Sequence, residues 1–277
     1  MLKCFKQTNG KISEISIDGI SKNCWIDCTE PTDSELKTLS KITDIPLGEL
    51  KLCLDEEERP RIDFGKDYCL IIYRAPYVKK EEDEIEVLTS PIGIFVKKNF
   101  VVTVHLHHTK YLEDILERGK SGEFLWQNPS RFLLRTLSSI TERYMLALKR
   151  IEDEIEKVEE RDIDHIFHNP DRDIMSTKKT LTFFHRSLLA DRVVLISIIE
   201  KKNPFIDQSL VESFGDLNVE TLQLIDTSII YKDVIFAIQE YHRSRMYGSM
   251  HNWMRAMAIT MFIFFIAAAS AVLLKLI

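Results

Sequence analysis

The C-terminal part of the chain constrains its fold most strongly, because no proline occurs after residue 204. An uninterrupted helix over these roughly 70 residues would be ~105 Å long at 1.5 Å per residue. Residues 256–274 carry no charge, and only Thr260 and Ser270 interrupt their apolar side chains. About 20 apolar residues are enough to cross the hydrocarbon core of a bilayer. The sequence therefore predicts one very long helix that ends in a single transmembrane helix at residues 251–277.

Charges on either side of the apolar run predict its orientation. Arg243, Arg245 and Arg255 precede it, whereas Lys275 follows it. Positively charged residues stay on the cytoplasmic side of a membrane. We therefore expect the large N-terminal domain in the cytoplasm, the helix in the cell (inner or plasma) membrane and the C-terminus outside.

The stalk that precedes the membrane segment, residues 205–250, has an apolar stripe of its own. Its members recur at alternating spacings of four and three, a heptad pattern typical of packed helices. They are Leu210, Phe214, Leu217, Thr221, Leu224, Ser228, Tyr231, Ile235, Ile238 and His242. One helix cannot bury such a stripe alone, so we predict that the stalk packs against copies of itself.

The rest of the chain predicts two further regions. Residues 1–128 contain short alternating or β-branched segments between turn residues, which indicate strands, and a helix that Thr32 or Asp33 caps. In residues 129–202, apolar side chains recur at spacings of three and four, and Pro170 interrupts this pattern. The segment therefore predicts a long antiparallel helical hairpin. The fold class is therefore α+β: a mixed α/β domain, a helical hairpin and a stalk helix that continues into the membrane.

Charge and motifs exclude several function classes. The formal net charge is −6, whereas nucleic-acid binding requires a basic surface. The chain has neither a glycine-rich phosphate loop nor a Gly-x-Ser-x-Gly motif. We therefore predict that it is not an enzyme and has no nucleic-acid partner. The five cysteines are an odd number, which indicates reduced thiols rather than a disulfide framework.

Two groups of side chains have the chemistry to bind cations. Carboxylate oxygens are the ligands that Mg²⁺ prefers, and they occur in an acidic patch within residues 81–86 and at Asp216. His105 and His107 share one face of a predicted strand and could bind a transition metal. No acidic residue or cysteine lies near these histidines in sequence, so we interpret them as an ordinary strand end.

Several segments are similar to those of a known family, the CorA divalent-cation channels. Residues 58–64, Glu-Arg-Pro-Arg-Ile-Asp-Phe, with the Asp-Tyr pair at 67–68, resemble the Arg-Pro-Lys-Val-Glu…Asn-Tyr segment of that family. Residues 150–156 resemble its first hairpin helix, and residues 214–216 together with the pair Asp-Thr at 226–227 resemble its stalk. The resemblance covers roughly residues 1–247.

This resemblance implies a funnel-shaped homopentamer whose long helices line a pore for Mg²⁺, with Co²⁺ as a further transported ion. It also implies that Mg²⁺ bound between neighbouring cytosolic domains holds the pore closed and leaves when its concentration falls. By position, Asp216 corresponds to the interfacial sensing aspartate of the family. Its partner falls near Lys79, so Glu81, Glu82 and Asp83 are the candidates for the second carboxylate.

The resemblance further implies a gate at the cytosolic end of the membrane helix. Met254 and Met257 occupy the positions of the hydrophobic gate residues, which act by dewetting a constriction. His251 stands where the family usually has a polar asparagine, and Asn252 lies beside it.

The last residues depart from the family pattern. Residues 275–277 are Lys-Leu-Ile, where the family has the Gly-Met-Asn filter and then a second membrane helix. Gly248 and Ser249 are similar to a cloning junction, and Met250 would restart another sequence. Two interpretations are open: a CorA-type divalent-cation transport protein, or a truncated or engineered chimera. In the chimera, the Mg²⁺-sensing domain is anchored to the membrane but does not conduct selectively.

Overall fold

The structure is a computed structural model that describes residues 1–8, 11–20, 24–81, 84–120, 128–160, 170–201 and 203–276. The strands in these ranges are β1 (Leu2–Thr8), β2 (Lys11–Ile15), β3 (Cys24–Thr29), β4 (Arg61–Phe64), β5 (Tyr68–Glu81), β6 (Glu84–Lys97) and β7 (Phe100–His105). The helices are α1 (Asp33–Thr43), α2 (Leu47–Leu52), α3 (Lys110–Lys120), α4 (Pro129–Glu160), α5 (Pro170–Glu200) and α6 (Val211–Leu276). The predicted combination of a mixed α/β domain with long helices is confirmed.

The seven strands form one mixed sheet in the order β2-β1-β3-β7-β6-β5-β4. All neighbours in the sheet are antiparallel except β3 and β7, which run parallel and place Thr29 beside His105. Parallel neighbours need a long connection, and here it contains α1, α2 and the strands β4 to β6. The sheet centre therefore joins two strands that are far apart in sequence.

Alternating side chains give the sheet two buried faces. On one face, Ile72 and Val102 pack with Leu39 of α1 and Leu50 of α2. On the other face, Tyr73 and its neighbours pack with α3, α4, α5 and the first part of α6. The five cysteines are all buried free thiols, as the sequence predicted.

Helix α1 begins as the sequence predicts. Thr32 is its N-cap: the Thr32 hydroxyl accepts a hydrogen bond from the Glu35 backbone N–H, and the Glu35 carboxylate accepts one from the Thr32 backbone N–H. This reciprocal capping box satisfies two backbone donors that the first turn of the helix leaves without intrahelical partners.

Helices α5 and α6 lie side by side and run in opposite directions. Lys178 Nζ donates to Gln239 Oε1 at 2.9 Å, and His185 Nδ1 lies 3.4 Å from Ser228 Oγ. Helix α4 meets α5 where the rings of Tyr144 and Phe184 pack edge to face, with centroids 4.9 Å apart. The predicted connection between α4 and α5, residues 161–169, lies outside the described residues.

Helix α6 is one uninterrupted helix, as predicted, but its heptad stripe packs differently from the prediction. Phe214, Thr221 and Ser228 are each 0% exposed and Ile235 is 1% exposed, because α4 and α5 of the same chain cover them. The expectation that this stripe needs copies of the chain to be buried is therefore wrong. The heptad spacing correctly indicated a buried face of α6, but the helices that cover it, α4 and α5, belong to the same chain.

The second part of α6 has a different environment. From Glu240 to Ile266, the last described side chain of the helix, every described side chain is exposed. Trp253 is 71% exposed and Phe264 is 76% exposed. Judged on the described residues, none of the helices combines the length and apolar content that a membrane crossing requires. The predicted transmembrane helix, residues 251–277, extends past Ile266 and so lies partly outside the described side chains.

Candidate functional site

Asp216, the predicted sensing aspartate, lies in the second turn of α6 with its side chain exposed. It forms no hydrogen bond or ion pair with any residue that the structure describes. Phe214 and Leu217 beside it are buried against the rest of the domain, so this turn of the helix is fixed in place. An exposed carboxylate on a fixed helix turn suits a cation such as Mg²⁺, which keeps several of its water ligands.

The acidic patch lies at the end of the β5–β6 hairpin. Glu81 pairs with Glu84 in the last backbone rung, but the side chain of Glu81 is not described, and Glu82 and Asp83 lie outside the described residues. Glu86 is described, and both its carboxylate oxygens accept from Lys179 Nζ of α5, at 3.0 and 2.9 Å. One carboxylate of the patch is therefore already neutralised by α5.

The structure does not bring Asp216 close to Glu86, the described carboxylate of the acidic patch, within one chain. Thr180 Oγ1 donates to the backbone oxygen of Val87 at 3.0 Å, which places the end of the hairpin beside the start of α5. This part of α5 is level with Gln239 of α6, which is roughly 35 Å beyond Asp216 along the helix at 1.5 Å per residue. Any site that uses both groups has to combine two chains.

The predicted gate residues all lie in the exposed part of α6. Met254 and Met257 are 58% and 60% exposed, and His251 and Asn252 are exposed as well. A spacing of three places His251, Met254 and Met257 on neighbouring positions of one helix face. Asn252 is rotated by roughly 160° from Met254, so it lies on the opposite side of the helix.

The histidines at the end of β7 do not share a site. His105 is buried, and its Nε2 lies 3.0 Å from Asp27 Oδ1. The ring of His107 instead stacks on Tyr77, with centroids 3.9 Å apart. No acidic residue is near these histidines in sequence, but the fold brings Asp27 to His105 from β3, the parallel neighbour of β7. Within the described ranges, no group of three or more His, Cys, Asp or Glu side chains could hold a metal ion.

A buried carboxyl group that the sequence did not indicate ties α5 to the sheet. Asp191 is 0% exposed, and its Oδ1 accepts from the backbone N–H of Arg74 at 2.8 Å. Burial outweighs this hydrogen bond and the charge of Arg74, and raises the pKa of Asp191 well above the ordinary aspartate value. The Arg74 guanidinium donates to the backbone oxygens of Glu56 and Glu58. The family-like segment that begins at Glu58 is therefore held against β5.

A cavity of about 560 Å³ lies beside the hairpin, between β5, α3, α4 and α5. Its walls include Tyr77, Leu146 and Ile151, and its charged groups include Arg150 and Glu154. Burial raises the pKa of the Glu154 carboxyl. The mixture of apolar walls and opposite charges does not indicate one class of ligand.

A family model described as CorA-like Mg²⁺ transporter protein matches residues 21–268 of this chain. The chain is 35% identical over 267 residues to the cobalt/magnesium transport protein CorA of Methanocaldococcus jannaschii, covering 92% of this chain and 81% of that protein. It is 22% identical over 217 residues to the protein of the same name from Thermotoga maritima, covering 76% of this chain and 60% of the relative.

A solved structure gives the same result. The complete structure of the CorA magnesium transporter from Methanocaldococcus jannaschii matches with a TM-score of 0.81 and 31% identity, covering 95% of this chain and 83% of that chain. The resemblance drawn from the sequence is therefore confirmed.

The family match also bears on the suspected junction at Gly248 and Ser249. The match continues through both residues to residue 268, and α6 runs across them without a break. A foreign helix joined at this point is therefore not favoured.

Proposed function

This chain belongs to the CorA family of Mg²⁺ transporter proteins, a family of transporters rather than enzymes, and we propose that it transports Mg²⁺ and Co²⁺. The observation that carries the proposal is α6, which is packed within the α/β domain at its start and leaves that domain as an exposed apolar helix. Its relatives named above are cobalt/magnesium transport proteins, and the match includes this helix.

In the proposed arrangement, α6 enters a cell membrane through residues 256–274. The exposed aromatic and aliphatic side chains from Trp253 to Ile266 are then in contact with lipid or with other copies of the helix. The arginines before the apolar run hold the large domain on the cytoplasmic side, and the C-terminus lies outside. The helices of five chains line the pore of a funnel-shaped homopentamer, and Met254 and Met257 form its hydrophobic constriction, with His251 on the same helix face. Asn252, on the opposite side of the helix, then lies away from the constriction.

The proposed regulation uses Mg²⁺ that is bound between neighbouring chains. Asp216 of one chain and the patch of Glu81, Glu82 and Asp83 of another supply the carboxylates. The distance of roughly 35 Å between their levels along α6 supports a site between chains over a site within one. Bound Mg²⁺ stabilises the closed ring, and its loss leaves like charges that repel each other and favour opening.

Transport is tested in proteoliposomes that contain this chain and a trapped Mg²⁺-sensitive dye. We expect Mg²⁺ influx that stops when Mg²⁺ is raised on the side of the large domain. A pentamer by native mass spectrometry without any influx would contradict the transport proposal. It would leave the alternative of a membrane-anchored sensing module.

The sensor is tested by limited proteolysis at increasing Mg²⁺ concentrations. We expect Asp216→Asn to raise the Mg²⁺ concentration needed for half-maximal protection by on the order of tenfold, the equivalent of ~1.4 kcal/mol of binding. Asp226→Asn is the matched control, because Asp226 is also an exposed aspartate of α6 and should leave the midpoint unchanged. Equal midpoints for the wild type and Asp216→Asn would rule out Asp216 as a ligand.

The arrangement between chains is tested by cross-linking the double variant Glu81→Cys with Asp216→Cys. All five native cysteines are buried, so the disulfides that form should join the introduced cysteines. Since a disulfide requires Cα atoms within about 7 Å, we expect covalent dimers and higher oligomers up to the pentamer, and no cross-link within one chain. The double variant Glu81→Cys with Asp226→Cys is the control. Absence of dimers at low and high Mg²⁺ would argue against Glu81 as the partner.

A further inference from the structure

A buried pair of a histidine and an aspartate lies at the centre of the sheet, where β3 and β7 run parallel. His105 is 2% exposed and Asp27 is 8% exposed. His105 Nε2 lies 3.0 Å from Asp27 Oδ1 and 3.1 Å from Thr29 Oγ1. On the other side of the ring, His105 Nδ1 lies 2.7 Å from the backbone oxygen of His107. With Thr103, these side chains form what we call the Asp27–His105 cluster.

The hydrogens of this cluster follow from its donors and acceptors. Thr103 Oγ1 donates to Asp27 Oδ1 at 2.6 Å, and Thr29 Oγ1 donates its one hydrogen to Asp27 Oδ2 at 2.9 Å. The Thr29 oxygen can then only accept from His105, as can the Asp27 carboxylate. The backbone oxygen of His107 is also an acceptor. Both ring nitrogens of His105 therefore face acceptors, and both must carry a hydrogen.

We propose that His105 is a doubly protonated imidazolium in the folded protein, and that its proton holds the turn after β7 against the β5–β6 hairpin. The ring of His107, in this turn, lies nearly parallel to the ring of Tyr77, at an interplanar angle of 6°. His107 Nε2 also lies 3.0 Å from Glu56 Oε1. If His105 loses its Nδ1 proton, a nitrogen lone pair faces the backbone oxygen of His107, so the turn has to move and the stack loosens.

The groups around the ring favour the charged form. Asp27 faces it from β3, the negative charge of Glu30 acts from the end of that strand, and the neutral Tyr111 of α3 lies near Asp27. Burial alone lowers the pKa of His105, but the hydrogen bond and charge of Asp27 outweigh burial and raise it. Burial alone raises the pKa of Asp27, whereas the hydrogen bond and charge of His105 outweigh burial and lower it.

These directions define a pH window. The stability from His105 is complete below the ordinary histidine pKa of about 6.5 and is lost as the pH rises through the raised pKa. The stability from Asp27 is complete above the ordinary aspartate pKa of about 3.9 and is lost as the pH falls through the lowered pKa. Tyr77 and Glu81 lie on the same strand. A hairpin that loosens at rising pH would therefore also alter the position of the proposed Mg²⁺ patch. That consequence alone rests on the function proposed above.

The protonation state is tested by NMR of the full chain with ¹⁵N-labelled histidine, using His105→Gln to assign the signal. We expect both nitrogens of His105 to be protonated near about pH 7 and to titrate above the ordinary histidine pKa. His108→Gln is the matched control, because the side chain of His108 is 61% exposed and should leave the His105 signal unchanged. An unprotonated Nε2 signal, or titration at or below about pH 6.5, would overturn the proposal.

The link to the hairpin is tested by hydrogen exchange without Mg²⁺ between about pH 6 and about pH 9, corrected for the intrinsic exchange rate. We expect protection of the backbone amides of residues 105–109 and of Tyr77 and Val78 to fall together, by up to about tenfold per pH unit between the unfolded and folded pKa values. Asp27→Asn should move this fall to lower pH, and His105→Gln should abolish its pH dependence. An unchanged midpoint in Asp27→Asn, or a turn that opens without the hairpin, would overturn the proposal and leave the transport proposal intact.

Discussion

The two parts of α6 are one continuous helix with opposite surroundings. From Val211 to Gln239, the helix buries one face against α4 and α5, and Phe214 is 0% exposed. From Glu240 to Ile266, all described side chains are exposed, although this second part contains six aromatic residues and the first part contains three. In the first part, the chain provides the partner of the apolar face. In the second part, the described residues of the chain provide no such partner.

This difference shows that helix formation and helix burial are separate properties. Backbone hydrogen bonds and the absence of proline continue α6 through both parts. Packing against neighbouring helices fixes the first part in the domain, and an exposed apolar surface of this extent marks an interaction with a membrane or another protein. Substitutions should therefore have effects on unfolding that depend on which part of the helix they alter.

The largest difference is expected for two phenylalanines of the same helix. Phe214→Ala removes a fully buried ring and should lower the free energy of unfolding by ~3–5 kcal/mol. Phe264→Ala removes a ring that is 76% exposed and should change it by less than ~0.5 kcal/mol. Urea denaturation in detergent, followed by near-ultraviolet circular dichroism, measures both. Similar losses in the two variants would show that the second part of α6 is also packed in the folded domain.

A smaller effect is expected at Asp191, whose buried carboxyl is unlike the exposed carboxylate of Asp216. Asp191→Ala leaves the Arg74 backbone N–H without its acceptor and should cost ~1–3 kcal/mol. Asp191→Asn keeps an acceptor oxygen there, so it should preserve most of the stability.

The two Asp191 variants should also differ in pH dependence. Because the pKa of Asp191 is raised in the folded state, the unfolded chain releases this proton first. Wild-type stability from this group is therefore complete below about pH 4 and is lost as the pH rises towards the folded pKa. The asparagine variant should gain stability relative to the wild type over that range. A constant difference between about pH 4 and about pH 8, measured by urea denaturation, would contradict a raised pKa.

The sequence predicted some of these features because they depend on local patterns. The lack of proline and the heptad spacing identified α6 and the side chains of its buried stripe. The heptad spacing shows which face of the helix is buried but not what covers that face. The same pattern therefore led to the wrong expectation that copies of the chain cover the stripe. His105 and Asp27 are 78 residues apart, and their contact depends on the pairing of β3 with β7, which no local pattern contains. Asp216 was a candidate because of its carboxylate chemistry, but only the family resemblance gave it a sensing role, because an exposed carboxylate has no sequence pattern of its own.

The smallest expected effects compare the two glycines within α6. Among the described residues, and apart from the neighbouring backbone of α6 itself, a Cβ added at Gly215 or at Gly248 meets no atom within 4 Å, so alanine at either position should favour the helix by up to ~1 kcal/mol. The gain at Gly215 should raise the global free energy of unfolding, because that part of the helix unfolds with the domain. The gain at Gly248 should appear only as slower local hydrogen exchange.

The two glycine variants test whether the two parts of α6 unfold separately. An equal global gain from Gly248→Ala would mean that both parts unfold together and that the division of α6 is wrong. A loss of stability from Gly215→Ala, although the chain itself leaves room for a methyl group, would mean that another chain approaches α6 beside Asp216. That result, measured together with the Mg²⁺ dependence of proteolysis, would place the neighbouring chain at the proposed sensor.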